Sequence, residues 1–187
     1  DRADIPIYWA ALGDRSVEAA AADADGWLPF FFVPERAEQV FGTALGKGLA
    51  ARGPDRGPLD VVAHATVAVG DRLDAERLLA QERRRIALYV GGMGPRATNF
   101  YTDLARRLGW ASAAEEIQEH FLAGRRAEAE GAVPPEWLRL GNLVGPDGWV
   151  EERLAAYAEA GVTTLDVDVP PGTDPVRTIE RLRELAG

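Results

Sequence analysis

Apolar positions along the chain keep two rhythms, a period of two in short runs and of three to four in longer ones, and each rhythm implies an element. Residues 5–11, Ile-Pro-Ile-Tyr-Trp-Ala-Ala, are short, aromatic and β-branched and are followed by Gly13, which reads as a buried strand ending in a turn. An Ala-rich run from Ser16 to Ala24 favours helix, and Asp25-Gly26 stops it. Residues 27–33 read as a second buried strand, and Pro34-Glu35 open a helix that carries Phe41 and Leu45 to about Arg52. A Gly/Pro loop at 53–58 breaks it. Residues 60–69 form a third strand, closed by Gly70-Asp71, and an amphipathic charged helix runs from Asp74 to about Val90.

The order so far is β-α-β-α-β-α, which implies parallel strands joined by crossovers. Between residues 91 and 145 the rhythm stops: a Gly-rich loop, helical stretches at 99–108 and 111–126, and a Pro134-Pro135 start near Trp137 read as a helical insertion. The repeat resumes with a helix over 147–160, a strand over 162–169 and a last helix over 173–185, giving four strands in all. Neither GxGxxG nor GxxxxGK[ST] follows any strand, which argues against a nucleotide-binding open sheet. At 187 residues the chain is too short for a complete (β/α)8 barrel, which takes about 250 residues. Half a TIM-type barrel with the helical insertion fits the count, as one domain over 1–187.

Composition narrows the partners. Absence of Cys removes disulfides and thiolate chemistry and agrees with a reducing, cytoplasmic setting, and no His/Cys spacing suits a metal. A net charge of −9 disfavours nucleic acid, so Arg83-Arg84-Arg85 reads as the solvated face of a helix. No apolar run approaches the roughly 20 residues of a membrane span, and the acidic opening Asp1-Arg2-Ala3-Asp4 is unlike a signal peptide.

Three blocks carry a family resemblance. Residues 6–13 (PIYWAALG), the Ala-rich helix and 24–29 (ADGWLP) form the first; 87–94 (ALYVGGMG) with Asn99-Phe100-Tyr101 and Asp103-Leu104-Ala105 the second. Residues 143–146 (LVGP) with 160–165 (AGVTTL) form the third. Their order and spacing resemble the C-terminal half of luciferase-like monooxygenase barrels, in the branch of F420-dependent oxidoreductases. The resemblance implies an oxidoreductase transferring hydride with coenzyme F420, a deazaflavin, to or from a small-molecule substrate. An FMN-dependent monooxygenase on the same barrel and a non-catalytic half-barrel assembly module are the alternatives. It also implies that an N-terminal half-barrel is missing, so that the chain is a fragment or a half that self-associates as a homo-oligomer.

Candidate residues follow from position. The segment Ala11 to Ser16 joins a strand end to a helix N-terminus, where backbone N–H groups and the helix dipole attract phosphate. Gly13 permits close approach, Arg15 adds charge, and Ser16 can cap the helix or donate to phosphate; by resemblance, Ala11, Leu12 and Gly13 are the cofactor-phosphate positions. An ordinary strand–helix turn is the plain alternative. Gly91-Gly92-Met93-Gly94 reads as a hinge, a lid or a simple connector, with Tyr89, Asn99 and Tyr101 flanking it toward substrate or cofactor. Alternation places His64 and Thr66 on the barrel side of the third strand, where His64 is a proton donor, a polar contact or a merely hydrogen-bonded interior group. Asp168 ends the last strand on the face of Thr164 and Asp166, as a substrate contact or a capping carboxylate. Trp9, Trp27 and Phe30-Phe31-Phe32 can form a wall for a tricyclic ring or simply pack the core.

Overall fold

Strand β3, Asp60–Val69, organises the sheet, because each of its edges is paired by other strands. The computed structural model describes residues 5–187, and the acidic opening at 1–4 lies outside them. The other strands are β1 (Tyr8–Ala10), β2 (Gly26–Leu28), β4 (Leu143–Gly145) and β5 (Thr164–Asp168). Every pairing is parallel, with Trp9 opposite Trp27, Trp27 opposite Val61, Ala68 opposite Val144, and His64 opposite Asp166.

Neighbouring amides of a strand point to opposite edges, so the hydrogen bonds of β3 say which strand lies where. Asp60 N donates to Asp25 O (3.0 Å) and Gly70 N to Gly145 O (2.9 Å), so the even-numbered amides face both β2 and β4. Val61 N donates to Thr163 Oγ1 (2.7 Å), so the odd-numbered ones face β5. Strands β2 and β4 therefore share one edge of β3, one beyond the other. The spatial order is β1, then β2 and β4, then β3, then β5.

Helices α1 (Asp14–Asp23), α3 (Thr43–Ala51), α10 (Asp147–Glu159) and α11 (Pro175–Ala186) belong to the βα repeat. A short α2 (Pro34–Ala37) and a π-helical turn (Glu38–Gly42) lead without a break into α3. The odd face of β3 (Val61, Ala63, Ala65, Val67) is at most 9% exposed and, with Trp27 and Val17, forms the core beneath these helices. Between β3 and β4 lie α4 (Ala75–Leu78), α5 (Ala80–Gly92), α6 (Phe100–Arg107), α7 (Ala111–Leu122), α8 (Arg126–Gly131) and α9 (Pro135–Leu140). They bury Ile86, Val90, Leu104, Ile117 and Trp137, which extend the same core.

Several sequence expectations are corrected. The sheet has five strands among the described residues, because the three-residue β4 is too short to show a period of two yet pairs with the end of β3. β2 stops at Leu28 rather than continuing to 33: Pro29 has no N–H to donate, and Phe31 turns the chain with a positive φ of 50°. β1 is an exposed edge rather than a buried strand, since β2 is its only neighbour among the described residues. Residues 91 and 92 are not loop, as α5 continues through Gly92. No helix among the described residues is long and apolar enough to cross a membrane.

Candidate functional site

At the C-terminal end of β1 the chain turns through Ala11 and Leu12 into α1, whose N-cap is Gly13. Ala11 is buried, and its carbonyl accepts a hydrogen bond from Trp27 Nε1 at 3.0 Å, which pins the turn to β2. The helix starts two residues earlier than the sequence implied, so Ser16 lies in the first turn instead of capping it. Its hydroxyl donates to Gly13 O at 2.8 Å. No side chain caps the first amides of α1 among the described residues, which leaves them for solvent or a ligand. A Cβ placed on Gly13 would meet only Ser16 Oγ, at 3.7 Å, so the approach to these amides is open.

Asp14 would repel an anion here, but Arg107 of α6 reaches across to it at 2.7 Å and also donates to Val40 O. Arg15 is exposed beside the turn. The donor set is backbone N–H groups, a helix dipole, one hydroxyl and the exposed Arg15 guanidinium, unpaired among the described residues, next to a neutralised carboxylate. That set fits a phosphate group.

The open face of the sheet carries the second group of residues. His64 Nδ1 lies 3.0 Å from Asp166 Oδ2, as their register requires, with 29% and 66% of the two side chains exposed. At the N-terminal end of β3, Tyr8 donates to Asp60 Oδ2 (2.8 Å) and Thr164 to Asp60 Oδ1 (2.9 Å), while Thr163 donates to Oδ1 as well. Hydrogen bonding, from Thr163 above all, holds the Asp60 carboxyl below its usual range, and the bond to Asp60 raises the Tyr8 phenol.

Beside His64 is a small cavity of about 30 Å³, bordered by Phe30, Phe31, Glu82, Arg85 and Trp137. Glu82 is 8% exposed and pairs with Arg85 at 2.8 Å, one turn along α5. The Arg85 guanidinium stands over the rings of Phe30 and Phe31 at 5.6 and 5.9 Å. The bend at Phe31 brings Phe30 against Tyr89 (4.7 Å between centroids), and Tyr89 against Tyr101 (4.8 Å). Burial raises the Tyr101 phenol, with the neighbouring Tyr89 adding to it. The aromatic wall thus holds Phe30, Phe31, Tyr89, Tyr101 and Trp137, whereas Trp27 is in the helix-side core against Phe41.

The glycine segment sits elsewhere and serves packing. A Cβ on Gly91 would come within 2.4 Å of Phe121 Cβ, and one on Gly92 within 2.1 Å of Phe121 Cε1, so both let α7 press against α5. Met93 is the C-cap of α5 and is 48% exposed. Asn99 is 2% exposed and uses its whole amide internally. Its Oδ1 accepts from Tyr101 N and Thr102 N, and its Nδ2 donates to Tyr89 O and Val90 O, joining the end of α5 to the start of α6. Asp168 borders a separate cavity of about 170 Å³ with Thr66, Arg77 and Arg84.

His64, Tyr89 and Tyr101 are thereby brought to one region, the turn at 11–16 forms another, and Asn99, Gly91 and Gly92 are structural supports. Sequence reasoning missed Glu82, Arg85 and Arg107. A buried glutamate three residues from an arginine looks like any exposed helical ion pair until the packing is known.

A family model described as luciferase-like monooxygenase matches residues 1–164. The chain is 35% identical over 185 residues to a Mycobacterium tuberculosis protein provisionally named as a coenzyme F420-dependent oxidoreductase, covering 99% of this chain and 51% of that one. It is 29% identical over 181 residues to the 5,10-methylenetetrahydromethanopterin reductase of Archaeoglobus fulgidus, covering 94% and 52%. Among solved structures, the coenzyme F420-dependent tetrahydromethanopterin reductase of Methanopyrus kandleri superposes with a TM-score of 0.67 at 25% identity, over 96% of this chain and 49% of that one. The chain therefore spans about half the length of these relatives. With that match over most of its residues, the chain belongs to the luciferase-like monooxygenase family.

Proposed function

We propose that this chain forms strands five to eight of a luciferase-like barrel and holds the phosphate of coenzyme F420 at Ala11, Leu12 and Gly13, in an enzyme that transfers hydride to or from an organic substrate. The observation that carries the reading is the 35% identity, over 99% of the chain, to a relative named for F420. The uncapped first turn of α1, the open side of Gly13 and the pairing of Asp14 with Arg107 support the phosphate assignment.

When bound, the deazaflavin supplies the carbon that gives or takes the hydride. The protein's part is to bind, orient and exclude water. The α1 amides and Arg15 hold the phosphate end, and Ser16, now turned to Gly13 O, has a hydroxyl that can rotate toward it. The wall of Phe30, Phe31, Tyr89 and Tyr101 gives a ring an apolar side to lie against. His64, oriented through Nδ1 by Asp166, keeps Nε2 without a partner among the described residues, free to give or take a proton. Asp168, Met93 and the region above α5 are assigned to the substrate side.

Oxygen insertion with FMN is the second reading, favoured by the description of the matching family. Titration of the purified chain with F420 and with FMN separates the readings. Saturable binding of F420 alone is the expected result; preference for FMN would favour the monooxygenase, and binding of neither would leave an assembly module.

A further inference from the structure

A cavity of about 580 Å³ lies neither at the α1 turn nor over His64. It opens at the C-terminal ends of β3 and β4, where Gly70 N meets Gly145 O at 2.9 Å. After β3 the chain goes to β4 on one edge and then to β5 on the other. Ligand sites of parallel (β/α) folds lie outside the carboxyl ends of the strands, as this cavity does. Its volume is in the range of small-molecule sites.

We propose that this cavity binds a small organic acid with an apolar body and a single carboxylate. Leu73, Leu79, Leu138, Val144, Pro146 and Trp149 supply an apolar lining that an alkyl or aromatic body would cover. Trp149 folds back over the strand end because residue 145 is glycine: a Cβ there would lie 2.6 Å from Trp149 Cδ1.

Arg139 supplies the anchor. Its guanidinium is stacked on the Trp149 ring, 4.1 Å from the centroid, and among the described residues it has no carboxylate partner and donates no hydrogen bond. A cation held by a ring face keeps its N–H fork free for a carboxylate. Arg83, also lining the cavity, spends Nη1 on the carbonyls of Glu130 and Val133. Asp71 and Glu76 also line the cavity and offset its two arginines, which disfavours a ligand with more than one negative charge. Asn142 borders both this cavity and the small one beside His64.

The test is calorimetric titration with 2-naphthoate and its neutral amide, 2-naphthamide, on the wild-type chain, Arg139→Gln and Ala75→Trp. Ala75 is exposed at the start of α4 and lines the cavity, so tryptophan there fills the space without touching the core. Circular dichroism confirms that each variant is folded. The expected result is naphthoate binding at least tenfold tighter than the amide, loss of that preference in Arg139→Gln, and loss of both ligands in Ala75→Trp. No saturable binding to the wild type, equal affinity for acid and amide, or undiminished binding by Ala75→Trp would overturn the proposal. A parallel F420 titration keeps the two readings apart, because Ala75→Trp is expected to leave F420 binding unchanged.

Discussion

Arg153 is 1% exposed, and its charge is met by Glu35 at the start of α2 through two nitrogens, with a further bond to Leu140 O at 2.8 Å. Burial alone would raise the Glu35 carboxyl, but hydrogen bonding from Arg153, a backbone amide and the nearby positive charges outweigh it and bring it below the ordinary 4.5. A carboxyl lowered by folding stabilises the native state above its unfolded value, and that contribution is lost as pH falls through the lower, native one. Removing one partner of a fully buried pair costs roughly 3–5 kcal/mol. Because the Glu35 side chain is 40% exposed, Glu35→Gln is expected to cost less, about 2 kcal/mol at pH 7. Urea unfolding should find this gap constant at neutral pH and closing in acid; a gap independent of pH would mean that the pair is not the cause.

Helices α5 and α7 approach through Gly91 and Gly92 against Phe121, so the contact belongs to elements rather than to one side chain. Gly91→Val is expected to destabilise the chain by about 1–3 kcal/mol through overpacking, even though valine is not excluded by helix propensity. Adding Phe121→Ala should restore part of the loss, measured by a double-mutant cycle. Additive losses would place the strain elsewhere.

This pair also marks the limit of what the sequence displays. Element types were legible where a long period is present, as in the alternation of β3; the N-cap roles of Asn99 at α6 and of Asp174 at α11, whose carboxylate accepts from Val176 N, emerge only from the structure. A glycine doublet reads as a loop because its helical use depends on a ring thirty residues away. β4 was invisible for the same reason, having three residues and one partner strand. His64 was placed on the open face by alternation alone, while its bond to Asp166 depends on register between strands 102 residues apart.

At the scale of the whole molecule, β1 and β5 are the outer strands of the sheet among the described residues, and Ile5, Ile7 and Trp9 lie 60%, 60% and 41% exposed near the β1 edge. Exposed edges with apolar neighbours promote pairing with another chain. Sedimentation of the isolated chain is expected to show concentration-dependent association, reduced by Trp9→Lys; a monomer across the concentration range would refute it.

The phosphate site is tested most directly by proton–nitrogen correlation spectra recorded while F420 is added. The expected result is saturable shifts largest at the amides of Gly13, Asp14, Arg15 and Ser16, with binding weakened at least tenfold in Gly13→Val. Shifts centred elsewhere, or none at saturating F420, would contradict the assignment.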